Sequence, residues 1–169
     1  MADWREGKPY RPNVGICLIN SSKRVWFGKT PSDGPEKVTE KRCWQMPQGG
    51  IELSEDLVEA ARRELWEETG VTSVEVLQVT TDWWCYDFPI DHTPANHKLD
   101  AFCGQQQRWV AFRFTGEDTE IEISAEHTDE PREFLDWKWL NPKQAIELAV
   151  DFKVEQYRKV FASFSAFLA

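Results

Sequence analysis

Arg62 to Gly70 reads RRELWEETG, and the way this stretch is understood decides the rest of the chain. Glu64, Glu67 and Glu68 crowd onto what reads as a helix. There, like charges three or four positions apart destabilise by roughly 0.2–0.5 kcal/mol per pair. Either the cluster is a solvated face, or a cation sits on it. Ser54 reads as the N-cap of this helix, with Glu55 and Asp56 in the first turn, and Gly70 as the residue that stops it. At about 100° per residue, Leu57, Val58, Ala60, Ala61 and Leu65 make one apolar stripe. Glu64 and Glu68 fall inside that stripe, and Glu67 lies at its edge. A solvated charged face would lie opposite it. Carboxylates aimed at the protein body have to be protonated, paired or metal-bound, because an unpaired buried charge is very costly. Arg63 can pair with one of them but cannot neutralise three. Several carboxylates converging on a cavity suit a hard cation with oxygen ligands, Mg²⁺ or Mn²⁺.

The 169 residues, 41% of them hydrophobic and nine of them Trp, are enough for one domain with a substantial core. A single domain over 1–169 is expected. A formal net charge of −9 argues against DNA and against sequence-blind nucleic-acid binding, both of which need a basic surface. It leaves room for a small anionic substrate held by local cations. No apolar run approaches a membrane span, and the opening MADWREGKPY resembles neither a signal nor a transit peptide, so a cytoplasmic location is expected. Cys17, Cys43, Cys85 and Cys103 form no CxxC pair, and His92, His97 and His127 have no metal-ligand spacing. Nothing calls for an obligate protein partner.

Residues 13–19, 24–27, 44–46, 74–81, 108–114 and 136–140 read as strands. Residues 30–41 read as a loop, Pro47 to Gly50 as a turn, and 85–107 as a long connection of the kind that forms a lid. Pro142 opens a terminal helical region broken near Asp151. Strands and helices mix without strict alternation, which predicts an α/β (α+β) fold with a mixed sheet covered by helices.

The spacing from Gly49 runs through Glu55 and Arg63-Glu64-Leu65 to Glu67-Glu68 and Gly70-Val71. This is the full signature of the Nudix family, with every fixed position filled over 49–71. Tyr10 to Gly15, Trp44 to Gly50, Gly104 to Trp109, Glu133-Phe134, Trp137, Trp139, Phe152-Lys153 and Tyr157 extend the likeness. They resemble one branch, the bacterial RNA pyrophosphohydrolases and the plant-type diadenosine tetraphosphate hydrolases. That resemblance implies the Nudix α/β/α sandwich with a central mixed β-sheet.

It also implies a site. Glu64, Glu67, Glu68, Glu133 and the Gln48 carbonyl would be metal ligands for Mg²⁺ or Mn²⁺. Glu67 or Glu133 would take the proton of the attacking water, Arg63 would orient the carboxylates, and Glu55 would support the metal shell. Arg11, Lys29, Arg108 and Lys153 look like phosphate contacts, Phe152 like a base-stacking ring, and Tyr86 like the aromatic position of the plant-type enzymes. Ser54 stands where relatives usually carry Gly, and the 28–43 loop looks longer than is typical. The implied reaction is hydrolysis of a phosphoanhydride in a nucleoside polyphosphate. Asymmetric cleavage of diadenosine tetraphosphate to ATP and AMP comes first, because Tyr86 to Pro89 and Trp44 to Pro47 look plant-type. Conversion of 5′-triphosphate RNA ends to monophosphates is the alternative, and a non-catalytic nucleotide-binding module is the third reading.

Overall fold

The computed structural model describes residues 3, 5–33, 38–89 and 98–169. In chain order the strands and helices are β1 (Tyr10–Ile19), β2 (Val25–Lys29), β3 (Trp44–Gln45), β4 (Gln48–Gly50) and α1 (Leu57–Thr69). They continue with β5 (Val74–Val79), β6 (Trp84–Asp87), β7 (Gly104–Phe114), β8 (Trp137–Leu140), α2 (Pro142–Leu148) and α3 (Val154–Ser163). β1 runs parallel to β7 along its whole length, from Tyr10 opposite Gly104 to Ile19 opposite Arg113. The other pairings between these strands are antiparallel, so the sheet is mixed.

Alternation along the two central strands divides the core. Val14, Ile16, Leu18, Val110 and Phe112 turn to one face and pack with Ala60, Ala61 and Leu65 of α1. Cys17, Ile19, Trp109 and Ala111 turn to the other and pack with Tyr157, Val160 and Phe161 of α3. Because successive strand side chains point to opposite faces, one parallel pair supplies both cores of an α/β/α sandwich. Among the described residues no helix is long and apolar enough to cross a membrane.

Several boundaries differ from the sequence reading. Gln48 to Gly50 forms a strand, not a turn, and lies antiparallel to Asn13, Val14 and Gly15. Its backbone finds partners across the sheet that local turn propensity does not reveal. The connection expected over 85–107 is strand at both ends: Trp84 to Asp87 pairs with Gly104 to Gln107. The centre of that connection, with His92 and His97, lies outside the described residues, as do residues 34–37 of the 30–41 loop. The terminal helical region does break near Asp151. α2 is capped by Asn141, whose side chain accepts from the Gln144 amide at 2.9 Å. A 3-10 turn at Asp151–Lys153 then leads into α3.

Ser54 is not the N-cap of α1. It sits at φ 65°, in the left-handed region, whereas a cap residue needs extended backbone. Asp56 has that backbone, and its Oδ2 accepts from the amides of Val58 (3.0 Å) and Glu59 (3.2 Å). Glu55 therefore lies before the helix, free to face the site. The left-handed backbone also accounts for the Gly that the resemblance leads one to expect at this position. At the other end Gly70, at φ 72°, closes the helix as the spacing predicts.

Candidate active site

α1 meets β4 where the backbone has no side chain to hold them apart. A Cβ on Gly49 would overlap the Glu64 carboxylate, and one on Gly50 would overlap the Arg11 guanidinium. Glycine at both positions lets an acidic and a basic group approach the strand from its two faces. They open onto a cleft of about 530 Å³ that also reaches Glu67, Glu68, Glu133 and Arg132.

Arg63 organises the acidic wall. Its Nε and Nη2 donate to the two oxygens of Glu55 at 2.8 and 2.9 Å. Nη2 also donates to the Gly50 carbonyl at 2.9 Å, and Nη1 to Glu64 Oε1 at 2.8 Å. Glu67 is held more loosely by Nη1, at 3.3 and 3.4 Å. The side-chain bond to Glu55 leads the effects that raise the Arg63 pKa, and the same bond lowers that of Glu55. One guanidinium thus touches three carboxylates, more than the single pairing expected from sequence, and still supplies one positive charge. Glu68 is outside its reach. The Glu68 Oε2 is buried with no hydrogen-bond partner. Burial first, then the charges of Glu133 and Glu64, push the Glu68 pKa well above the ordinary carboxylate range. The Gln48 backbone and Lys153 oppose that shift.

This orphaned oxygen bears on the metal. Among the described residues no three His, Cys, Asp or Glu side chains are gathered closely enough to hold a metal ion. Glu64 and Glu67 are instead turned onto Arg63. The donors themselves are carboxylate oxygens, the hard ligands Mg²⁺ and Mn²⁺ prefer. Glu68 has a buried acceptor in want of a positive partner, so the donor set fits a hard divalent cation.

The expected substrate contacts separate. Arg11 lines the cleft; burial leads in lowering its pKa, and Glu64 heads the carboxylates that oppose the shift. Lys29 and Arg108 do not line it. Lys29 ends β2 exposed, near Cys43, and Arg108 donates to the Thr80 carbonyl at 3.0 Å with its guanidinium over Trp83. Lys153, expected at the phosphates, is fully buried and donates to Gln45 Oε1 at 2.5 Å. Tyr86 and Phe152 pack on each other with ring centroids 5.9 Å apart, behind the cleft wall. Their apolar bodies find more area to bury there than in the open cleft.

A chain of buried amides went unassigned in the sequence. Gln107 Nε2 donates to Asn13 Oδ1 (2.7 Å) and Gln48 Oε1 (2.8 Å), Asn13 donates to Gln105 (2.7 Å), and Gln105 donates to the Tyr86 hydroxyl (2.7 Å). Two Gln at strand spacing beside Asn13 are the available signal, since polar groups facing a core need partners.

The chain matches the NUDIX domain model over residues 9–164. It therefore belongs to the Nudix family, and it is a pyrophosphohydrolase by class; Nudix hydrolases generally use divalent metal ions. An RNA pyrophosphohydrolase of Bartonella bacilliformis (strain ATCC 35685 / KC583 / Herrer 020/F12,63) is 41% identical over 160 residues, covering 92% of each chain. Nudix hydrolase 25 of Arabidopsis thaliana is 40% identical over 161 residues, covering 94% of this chain and 88% of its own. Among solved structures, a MutT protein from Methanosarcina mazei Go1 shares the fold with a TM-score of 0.61 at 15% identity, over 94% of this chain and 97% of that one.

Proposed function

We propose that this protein is a Mg²⁺-dependent hydrolase of nucleoside polyphosphates that acts on 5′-triphosphate RNA ends, leaving a 5′-monophosphate. The observation that carries the chemistry is the buried, unpartnered Glu68 oxygen in a carboxylate-walled cleft that also holds Arg11. The RNA substrate is supported by the name of relatives more than 40% identical over nearly the whole chain. The dinucleotide reading leaned on Tyr86, whose ring is buried and whose hydroxyl is engaged by Gln105. Diadenosine tetraphosphate stays as the second reading, because the Arabidopsis relative matches over the same span and Trp44 to Pro47 look plant-type.

Glu64, Glu67, Glu68, Glu133 and the Gln48 carbonyl would hold Mg²⁺. Bound there, the ion supplies neutralisation of phosphate charge and a more acidic water. Glu67 receives the water proton on its carboxylate, being the acid most loosely tied to Arg63. Arg63 and Glu55 keep the neighbouring carboxylates aimed into the cleft. Arg11 faces the phosphate oxygens and stabilises charge on the leaving group. Lys153, too buried to be a surface contact, offsets negative charge at Glu68.

Product analysis with Mg²⁺ tests the reading. The purified chain should convert a short 5′-triphosphorylated RNA rapidly and diadenosine tetraphosphate slowly. ATP plus AMP from the dinucleotide, with little RNA turnover, would reverse the order. Turnover of neither would favour the binding module.

Glu68 also makes stability depend on pH. A carboxyl whose pKa is raised by folding binds its proton more tightly in the folded state. Its favourable contribution is complete below the unfolded value and is lost as pH rises through the folded value. With metal chelated, wild type and Glu68→Gln should melt alike in acid, and the variant should melt higher once the pH passes the raised value. Adding Mg²⁺ should raise the wild-type Tm and move the variant less. Parallel pH profiles would show that Glu68 carries no such strain.

A further inference from the structure

Between the 3-10 turn Asp118–Glu120 and β8, residues 121–136 run past the cleft as a strap with no helix or strand of its own. Glu130 to Glu133, within it, line the cleft together with Glu64, Glu67 and Glu68 of α1. We propose that His127 is a positioning residue: it latches this strap to the C-terminal turn of α1 and so sets Glu133 relative to the helix acids. The inference rests on the reading of the cleft given above.

α1 ends in a way that calls for donors from elsewhere. Its last turn carries Glu67 and Glu68 and no basic side chain. This is the end of a helix where the macrodipole is negative and carbonyls lack partners within the helix. The strap supplies them. The Glu122 amide donates to the Thr69 carbonyl at 2.7 Å, and His127 Nε2 donates to the Trp66 carbonyl at 2.6 Å. A carbonyl only accepts, so Nε2 carries the proton. The same carbonyl takes the Gly70 amide that closes the helix, at 2.8 Å, and it belongs to the peptide unit joining Trp66 to Glu67. The His127 ring stands edge-on to the Trp66 ring, with centroids 5.0 Å apart and planes at 78°. That packing gives the bond a fixed direction.

Bringing His127 back to the helix bends the strap. Ala125 sits at φ 66°, in the left-handed region that side chains disfavour, and the Thr128 amide closes the turn on the Ala125 carbonyl at 3.2 Å. Backbone in that region persists where the surroundings hold it, and the bond and ring contact of His127 lie two residues away. Downstream the strap is fixed again. Phe134 is buried over Gly28, and the Leu135 amide donates to the Lys29 carbonyl at 2.9 Å. Glu133 lies between the two anchors. With His127 released, the loose length upstream of Phe134 runs back to Glu122, and a longer loop samples more positions. The latch therefore limits how far Glu133 strays from Glu67 and Glu68.

The test compares His127→Phe, which keeps a ring beside Trp66 and removes the donor, with His127→Gln, which keeps a side-chain N–H. In metal-free protein, hydrogen exchange over residues 121–136 should quicken about fivefold in the Phe variant, the worth of one typical hydrogen bond. β1 and β7 should exchange as in wild type. With Mg²⁺, kcat on the RNA or dinucleotide substrate should fall about tenfold and KM stay within about twofold, because an acid is misplaced while substrate still binds. His127→Gln should recover most of both. Adding His127→Phe to Glu133→Gln should cost little further kcat, since the two changes act through one acid. Wild-type strap exchange in the Phe variant overturns the proposal, and so does full additivity of the two changes. A lower Tm with exchange and kcat as in wild type would mark a structural role and overturns it too. Faster strap exchange in a chain that hydrolyses neither RNA ends nor dinucleotide would sink the catalytic reading while upholding the latch.

Discussion

Replacing Glu67 with glutamine should lower kcat for phosphoanhydride hydrolysis by about 10³-fold, the usual worth of a positioned general base. The fold should survive. Glu67 is held only by the longer contacts to Arg63, at 3.3 and 3.4 Å, and its side chain is 18% exposed. Losing a pairing of that kind costs about 0.5 kcal/mol or less. Steady-state kinetics beside a thermal melt separates the two effects. A thousandfold loss with an unchanged Tm supports Glu67 as proton acceptor. Near-normal kcat would move that role to Glu133, which lies exposed on the cleft rim.

Arg63→Ala should damage both stability and activity. The guanidinium joins the loop before α1, the strand β4 and two helix carboxylates through charge-assisted bonds to Glu55, Glu64, Glu67 and the Gly50 carbonyl. Its removal leaves three partly buried acids facing one another. Allowing for the 25% exposure of the side chain, the loss should be about 2 kcal/mol, read from the denaturant midpoint. kcat/KM should fall by about 10²-fold, because misplaced carboxylates no longer meet the reacting groups. Arg63→Lys should recover part of the stability and little of the activity: it keeps the charge but not the fork that grips Glu55 with two bonds. A variant as stable as wild type would mean that the acids disperse freely into solvent.

The acid cluster was legible because helical geometry is local. A rotation of about 100° per residue places Glu64 and Glu68 inside an apolar stripe whatever surrounds the helix. The structure agrees, with Ala60, Ala61 and Leu65 buried along that stripe. The alternating apolar pattern of β1 and β7 is equally local, and so is the stop at Gly70. The Ser54 reading failed for a related reason. Ser and Asp are both good caps, and only the backbone path from Glu52 decides which of them has extended geometry.

The pairing of β4 with β1, and of β6 with the first half of β7, joins segments distant in sequence, so no window of residues records it. The same holds for which cations face the cleft. Arg11, Lys29, Arg108 and Lys153 are alike as sequence, yet one lines the cleft, two lie away from it, and one is buried on Gln45. By itself the sequence determined the family and the acidic helix, because each depends on spacing within one element. The tertiary structure alone decided that Arg63 gathers three of the acids, that one buried oxygen of Glu68 is left without a hydrogen-bond partner, and that Phe102 rather than Tyr86 lines the cleft. Those outcomes depend on how separate elements pack, and packing is settled by burial and hydrogen bonding across the whole fold.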